Sequence, residues 1–149
     1  MPSCHQIRIL PYHAQELFEL VLDVDSYHDF VPWCKGSKII SKNDEEIIAE
    51  LVIQAKGFVD KYQSKITPKI INEHTYYLEA EAISGPFKYL KNTWKFVQEG
   101  KFTTIEFSID FQMKFAILDK VMGIFFIDAT KKMIEAFEKR AILKFTEIK

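Results

Sequence analysis

The chain is 149 residues long, 48% hydrophobic and 28% charged, with 20 basic against 21 acidic side chains and a formal net charge of −1. That length suits one domain around a single buried core, and the balanced charge excludes a global field drawing the protein to nucleic acid, leaving any basic contact to a local patch. Cys4 and Cys34 share no C-x-x-C spacing, which argues against a disulfide scaffold or thiol motif and for two reduced thiols in a cytosol-like compartment.

The first residues, MPSCHQIRIL, carry neither the apolar core of a signal peptide nor the Arg/Ser-rich amphipathic character of a transit sequence. The expectation is a cytoplasmic chain without a targeting segment. Its longest apolar run, around residues 123–127, falls far short of the roughly 20 residues that span a bilayer, so any membrane contact is peripheral. With no internal repeat, low-complexity tract or Gly/Ser linker, residues 1–149 read as one domain.

Residues 5–10 predict a short strand. Pro11 then introduces a helix in which Ala14, Leu17, Phe18 and Val21 fall at i, i+3, i+4 and i+7 and which ends near Asp23. Asp25 is placed to cap a single turn over residues 27–29. The stretch SYHDFVPWC, residues 26–34, follows. Pro32 has no amide hydrogen for a ladder and disfavours helix at Val31, so this is a loop. Loops run over the surface and are usually polar. An apolar one is either a plug closing the end of a core or the rim of an opening for something greasy.

From Lys38 the period becomes alternating. Ile47, Ala49, Leu51, Ile53 and Ala55 share one face, and Gly57 breaks the pattern. Phe58, Tyr62 and Ile66 alternate against Val59, Lys61, Gln63 and Lys65, with Pro68 predicted to close that strand. A further strand over residues 74–82 sets Tyr76, Leu78, Ala80 and Ala82 on one face. Gly85-Pro86 marks a turn, after which Leu90, Trp94 and Phe96 share a face with Asn92. Ile105, Phe107, Ile109, Phe111 and Met113 then alternate without exception against polar residues, as in an antiparallel sheet with one wet and one buried face. After Phe115 the period is helical again, with Leu118, Val121, Met122, Phe125, Ala129, Met133, Ala136, Phe137 and Arg140 in one stripe. About six consecutive strands expose an apolar face that must be covered, and the last helix is the element long enough to do it. A sheet curled around a helix need not close tightly, and a gap between them is an apolar cavity.

Thirteen Phe, six Tyr and two Trp are ample for such an interior, although aromatic side chains also simply fill cores. His5, His13, His28 and His74 are scattered, with no metal-ligand spacing. His28, Asp29 and Cys34 lie close in sequence without making a nucleophile and base, and the five glycines form no phosphate loop. Neither a catalytic nor a metal site is expected. Lys131, Lys132, Lys139, Arg140 and Lys144 enrich the end of the last helix in positive charge, as either a solvated face complementing the helix dipole or a docking surface for lipid headgroups or RNA.

SYHDFVPWC after an amphipathic helix, GPFKYLKNTW at 85–94, the alternating IEFSIDFQMKF and the closing MGIFFIDATKKMIEAFEKRA at 122–141 together resemble the coenzyme Q-binding members of the START-like, polyketide cyclase superfamily. Bacterial ribosome-association toxins belong to the same family. The resemblance implies an α+β helix-grip fold: a curved antiparallel sheet wrapped around a long C-terminal helix, with a hydrophobic cavity between. It also implies a polyprenylquinone such as ubiquinone as ligand, no required cofactor, and a non-catalytic binding or chaperone role in respiratory electron transfer. By the same resemblance Phe30, Val31, Pro32 and Trp33 lie at the cavity mouth with Leu90 and Trp94 nearby, and Phe58, Tyr62, Phe107, Phe111, Val121 and Phe125 line the wall. The loop is then a lipid gate, with Trp33 at the membrane interface and Lys35 and Lys38 toward anionic lipid. Membrane contact would be at the inner face, and no DNA partner is implied. Two other functions stand beside this one. One is a ribosome-associating, toxin-like protein that inhibits translation. The other is a cyclase- or aromatase-like enzyme using Tyr62, Asn92 and His74.

Overall fold

The alternating and helical periods are realised in chain order as β1 (Ser3–Leu10), α1 (Ala14–Leu22), a 3-10 turn (Val24–Asp29), β2 (Cys34–Lys42), β3 (Ile47–Ala55), β4 (Phe58–Ile70), β5 (Thr75–Ala82), β6 (Phe87–Glu99), β7 (Phe102–Met113) and α2 (Ala116–Lys144). The computed structural model describes residues 3–55 and 57–149, with side chains at all of these except Ala55, Leu118, Val121, Met122, Ile124, Phe125 and Phe126. The seven strands form one antiparallel sheet in the order β1-β7-β6-β5-β4-β3-β2. Six successive strands are therefore hairpin-linked, and β1 is added beside the last of them. Register shifts between Cys34 and Gly36, Ile39 and Ser41, and Phe87 and Tyr89 introduce bulges, which sharpen twist and help the sheet curl.

The 29 residues of α2 make a rod roughly 44 Å long, lying in the concave face. Thr130, Met133, Ile134, Phe137 and Ala141 are buried there, at the three- and four-residue spacing of one helix face. α1 closes one end of the grip. Ala14, Leu17, Phe18, Leu20 and Val21 are all buried, and Phe18 packs on Tyr76 at 5.1 Å and on Phe96 at 6.0 Å. At the same end Phe145, just past α2, meets Tyr12, and Ile148 N–H donates to Pro11 O at 3.0 Å. The interior there is nearly filled, with a pocket of only about 20 Å³ between Leu17, Leu20, Phe96 and Ile134. Among the described residues no helix is long and apolar enough to cross a membrane.

Three local expectations are corrected. Pro68 does not end its strand, because β4 continues to Ile70 and Pro68 pairs with Leu78. Ile83 N–H to Gln63 O and Ile71 N–H to Thr75 O show that odd-numbered residues of β4 bond to β5, so the nitrogen of Pro68 faces the other side. There β3 has already ended, at Ile47 opposite Ile66; the missing N–H costs no ladder bond. Asp25 does not cap the turn after α1. The turn spans Val24–Asp29 without a side-chain cap, and Asp25 Oδ1 instead accepts the Ile39 N–H at 2.7 Å, fastening the turn to β2. Finally, β2 begins at Cys34 rather than near Lys38, because Gln54 N–H donates to Trp33 O at 2.8 Å and brings the loop into register with β3.

Candidate functional site

Beyond the C-terminal end of α1, which supplies Val21 to its wall, the two layers do not meet. Ser64 on β4, Ala80 on β5 and Ala129 on α2 are too small to bridge sheet and helix, and the space they leave is a cavity of about 140 Å³. Its walls come from nearly every element. Val21, Val24, Tyr27 and Trp33 come from α1, the turn and the loop. Leu51, Ile53, Tyr62, Ile66, Leu78, Phe87, Leu90, Asn92, Trp94, Phe107, Ile109 and Phe111 come from the sheet, and Thr130, Met133 and Phe137 from α2. The aromatic side chains are locked edge to face, with Tyr62 on Phe87 at 5.1 Å, Phe87 on Phe111 at 6.1 Å and Trp94 on Phe137 at 5.3 Å. Edge-to-face pairing fixes ring orientation beyond simple burial, so the walls are preformed.

Gly85 shapes one wall. It has φ +100, and a Cβ there would lie 2.5 Å from the Cβ of Tyr62. Only glycine permits both this backbone conformation and this close approach. The β5–β6 turn can therefore fold down beside Tyr62, and Lys114 N–H donates to Pro86 O at 2.8 Å, tying the entry to α2 to the same turn.

No His, Cys, Asp, Glu, Lys or Arg lines the cavity among the described residues. Its polar groups include the Tyr62 phenol, the Asn92 amide, and the hydroxyls of Ser64 and Thr130, each of those two residues only 4% exposed; the Tyr27 phenol, also in the wall, donates to Val21 O. Burial holds the Tyr62 phenol well above its ordinary pKa, aided by the nearby Cys34, so it stays a neutral donor. Burial also pushes the Cys34 thiol up to about 11, against a smaller lowering by hydrogen bonding with Ser37 and Gly36. A thiol in that state is not a nucleophile at neutral pH. His28 contacts Ser37 and Asp29 rather than Cys34, so those residues do not assemble. His74 sits exposed in the β4–β5 turn beside Glu73, away from Tyr62 and Asn92. Among the described residues no group of three or more His, Cys, Asp or Glu is arranged to hold a metal.

Of the residues assigned to mouth and wall from the sequence, Trp33, Tyr62, Leu90, Trp94, Phe107 and Phe111 line the cavity. Val31 does not, being 3% exposed in the core, and Pro32 faces solvent. Phe30 packs on Phe137 at 5.1 Å, beneath the Arg140 guanidinium at 5.0 Å, on the outer side of the loop. Phe58 is half-buried and outside the lining. Val121 and Phe125 lie outside the residues whose side chains are described. The loop thus splits by parity: Phe30 and Pro32 lie on the outer side, while Val31 plugs the core and the half-buried Trp33 turns toward the cavity. Lys38 is 3.9 Å from Glu50. Ser64 and Thr130 escaped sequence reasoning, although the alternation of Tyr62 and Ile66 already pointed Ser64 inward.

The model of the family described as polyketide cyclase / dehydrase and lipid transport matches residues 10–138. The chain is 49% identical over 141 residues to the ribosome association toxin RatA of Rickettsia prowazekii (strain Madrid E), covering 95% of this chain and 97% of that protein. It is 30% identical over 139 residues to the coenzyme Q-binding protein COQ10 homolog B, mitochondrial, of Xenopus laevis, covering 90% of this chain and 55% of that longer protein. The solution structure of the 18 kDa protein CC1736 from Caulobacter crescentus superposes with a TM-score of 0.76 at 32% identity, covering 96% and 97% of the two chains.

Proposed function

Since the chain belongs to the polyketide cyclase / dehydrase and lipid transport family, we propose that it is a non-catalytic binding protein or chaperone for a hydrophobic lipid. The lipid is a polyprenylquinone such as ubiquinone, held without any resident cofactor and in support of respiratory electron transfer. The observation that carries this reading is a preformed cavity with aromatic and aliphatic walls and, among the described residues, no ionisable acid–base pair. Leaving about 140 Å³ empty forgoes roughly 3 kcal/mol at about 24 cal/mol per Å³ of void, a cost that a bound lipid removes. Burial of a prenyl tail at roughly 25 cal/mol per Å² supplies affinity without directional contacts, and a relative is named as coenzyme Q-binding. The test is mass spectrometry of lipids extracted from protein purified without detergent. A sub-stoichiometric prenylquinone is expected; extracts holding only the host's phospholipid background, with no uptake of added quinone, sink the assignment.

Such a ligand has to be exchanged with a bilayer. At the cavity's end of the sheet Val59, Ile83, Phe115 and Ile117 are 50–74% exposed, on the tips following β3, β5 and β7. Lys35, Lys61, Lys88, Lys114 and Lys120 are exposed and form no ion pair among the described residues. Apolar tips with basic neighbours suit peripheral contact with an anionic membrane surface. Co-flotation with anionic but not neutral vesicles is expected, and equal flotation with both removes the electrostatic part.

A ribosome partner is the second reading. It is favoured by the name of the 49% identical relative and by the basic side of α2, where Lys131, Lys139 and Lys144 are exposed and Arg140 Nε is buried without a hydrogen-bond partner among the described residues. Contacts to phosphates weaken steeply with salt whereas tail burial does not. Co-sedimentation with ribosomal subunits across a salt series separates the two readings.

A further inference from the structure

Three of the cavity's polar groups are open to a ligand. Among the described residues no hydrogen bond reaches Ser64 Oγ, Thr130 Oγ1 or the Asn92 amide, and none of these atoms is sealed away from the void, so each can bond to a group placed there. They come from three elements facing one void. Ser64 is on β4 between Ala49 and Ala82 of the neighbouring strands. Asn92 is on β6 between Ala80 and Ile109. Thr130 is on α2, one turn before Met133. Alanines on both sides of Ser64 and on one side of Asn92 leave them open to the cavity rather than covered by neighbours.

The size of the void limits what these groups can meet. An engineered apolar cavity of about 150 Å³ takes up a benzene; the present one, about 140 Å³, holds one six-membered ring and not a ring with its tail. We propose that Ser64, Asn92 and Thr130 form a polar subsite for the oxygen substituents of a six-membered ring, so that the ligand enters ring-first and its apolar tail leaves past Trp33. This rests on the reading of the cavity as a lipid site and adds the orientation of the lipid. A tail-first ligand would cover the two hydroxyls and the amide with hydrocarbon and leave all three unpaired. Hydroxyls and an amide both donate and accept, so the subsite takes quinone carbonyls, ring methoxy groups or quinol hydroxyls alike.

The two tryptophans measure the orientation. Trp94 is 5% exposed, packed on Phe107 at 4.6 Å and two residues from Asn92 on the same strand face; Trp33 is half-buried in the loop. In Trp33→Phe, Trp94 is the sole emitter, and in Trp94→Phe, Trp33 is. Each is titrated with a dimethoxy-benzoquinone bearing a hexyl tail, whose ring quenches indoles it touches. Stronger quenching of Trp94 than of Trp33 is expected; should Trp94→Phe not fold, the difference between wild type and Trp33→Phe supplies the Trp33 signal. In parallel, Ser64→Ala, Thr130→Val and Asn92→Leu, each checked for fold by circular dichroism, are compared for the quinone and for hexylbenzene, which has ring and tail but no oxygen. Each variant is expected to weaken the quinone about 3–10-fold, the worth of one hydrogen bond, while hexylbenzene binding holds or tightens. Stronger quenching of Trp33, or equal losses for both compounds, overturns the ring-first subsite while leaving a lipid site. Absence of binding by either compound overturns the lipid site itself, and this inference with it.

Discussion

Ala80→Leu separates a cavity from a core by the sign of its effect. Ala80 lies on β5 between Ile66 of β4 and Asn92 of β6, is 8% exposed and faces the void. Leucine adds three carbons, worth up to about 2.4 kcal/mol at roughly 0.8 kcal/mol per buried methylene, less about 0.5–1 kcal/mol of side-chain entropy. The expected gain is about 1.5 kcal/mol, a rise in Tm of roughly 3–6 °C for a chain of this size. In a close-packed core the same enlargement costs about 1–3 kcal/mol. Urea unfolding followed by circular dichroism, with an unchanged m-value, measures the stability, and quenching by a short-tailed quinone measures binding on the same sample. The reasoning requires a stabler protein that no longer binds. A variant destabilised by about 1–3 kcal/mol refutes the void, and a stabilised variant that binds as well as wild type refutes its use.

Gly85→Ala combines an unfavourable φ with a Cβ 2.5 Å from that of Tyr62 and is expected to cost at least about 3 kcal/mol by thermal melting; a loss under about 1 kcal/mol would mean that the β5–β6 turn relaxes away from the wall. Phe111→Asp puts a carboxylate among the lining side chains at a 3% exposed position, and because the cavity can admit water the expected product is folded and ligand-free, read by circular dichroism with lipid extraction; a chain that unfolds instead makes Phe111 core. For Cys34, burial raises the folded pKa from 9.0 to about 11, so the folded state holds its proton more tightly and stability falls as pH climbs from about 9 to 11, absent in Cys34→Ala. At pH 8 a thiol-alkylating reagent should accordingly modify the half-buried Cys4 well before Cys34, and equal rates by peptide mass mapping would contradict the burial.

How much of this was legible from the chain depended on the range of the determining interaction. Strand and helix identity follow from side-chain period, a property of neighbours in sequence: the alternation of Ile105, Phe107, Ile109, Phe111 and Met113, the stripe through Met133 and Phe137, and the Gly85-Pro86 turn all stand where the pattern put them. The need to cover one apolar sheet face with the last helix follows from the same pattern. Pro68 shows the limit, because whether a proline ends a strand depends on where the neighbouring strand stops, and Ile47 lies twenty-one positions away. The site shows it more sharply. An apolar residue on an inner face looks the same in sequence whether its opposite number touches it or stops short, so Phe107 as core and Phe107 as wall are indistinguishable until α2 is placed. The void exists because Ser64, Ala80 and Ala129, distant in the chain, fall opposite one another. The direction of Trp33 was decided by the hydrogen bond from Gln54 N–H to Trp33 O, which turns its indole inward and leaves Pro32 in solvent. Local chemistry wrote the elements and their buried faces; the distance between those faces, on which the cavity depends, was settled only when long-range packing brought them together.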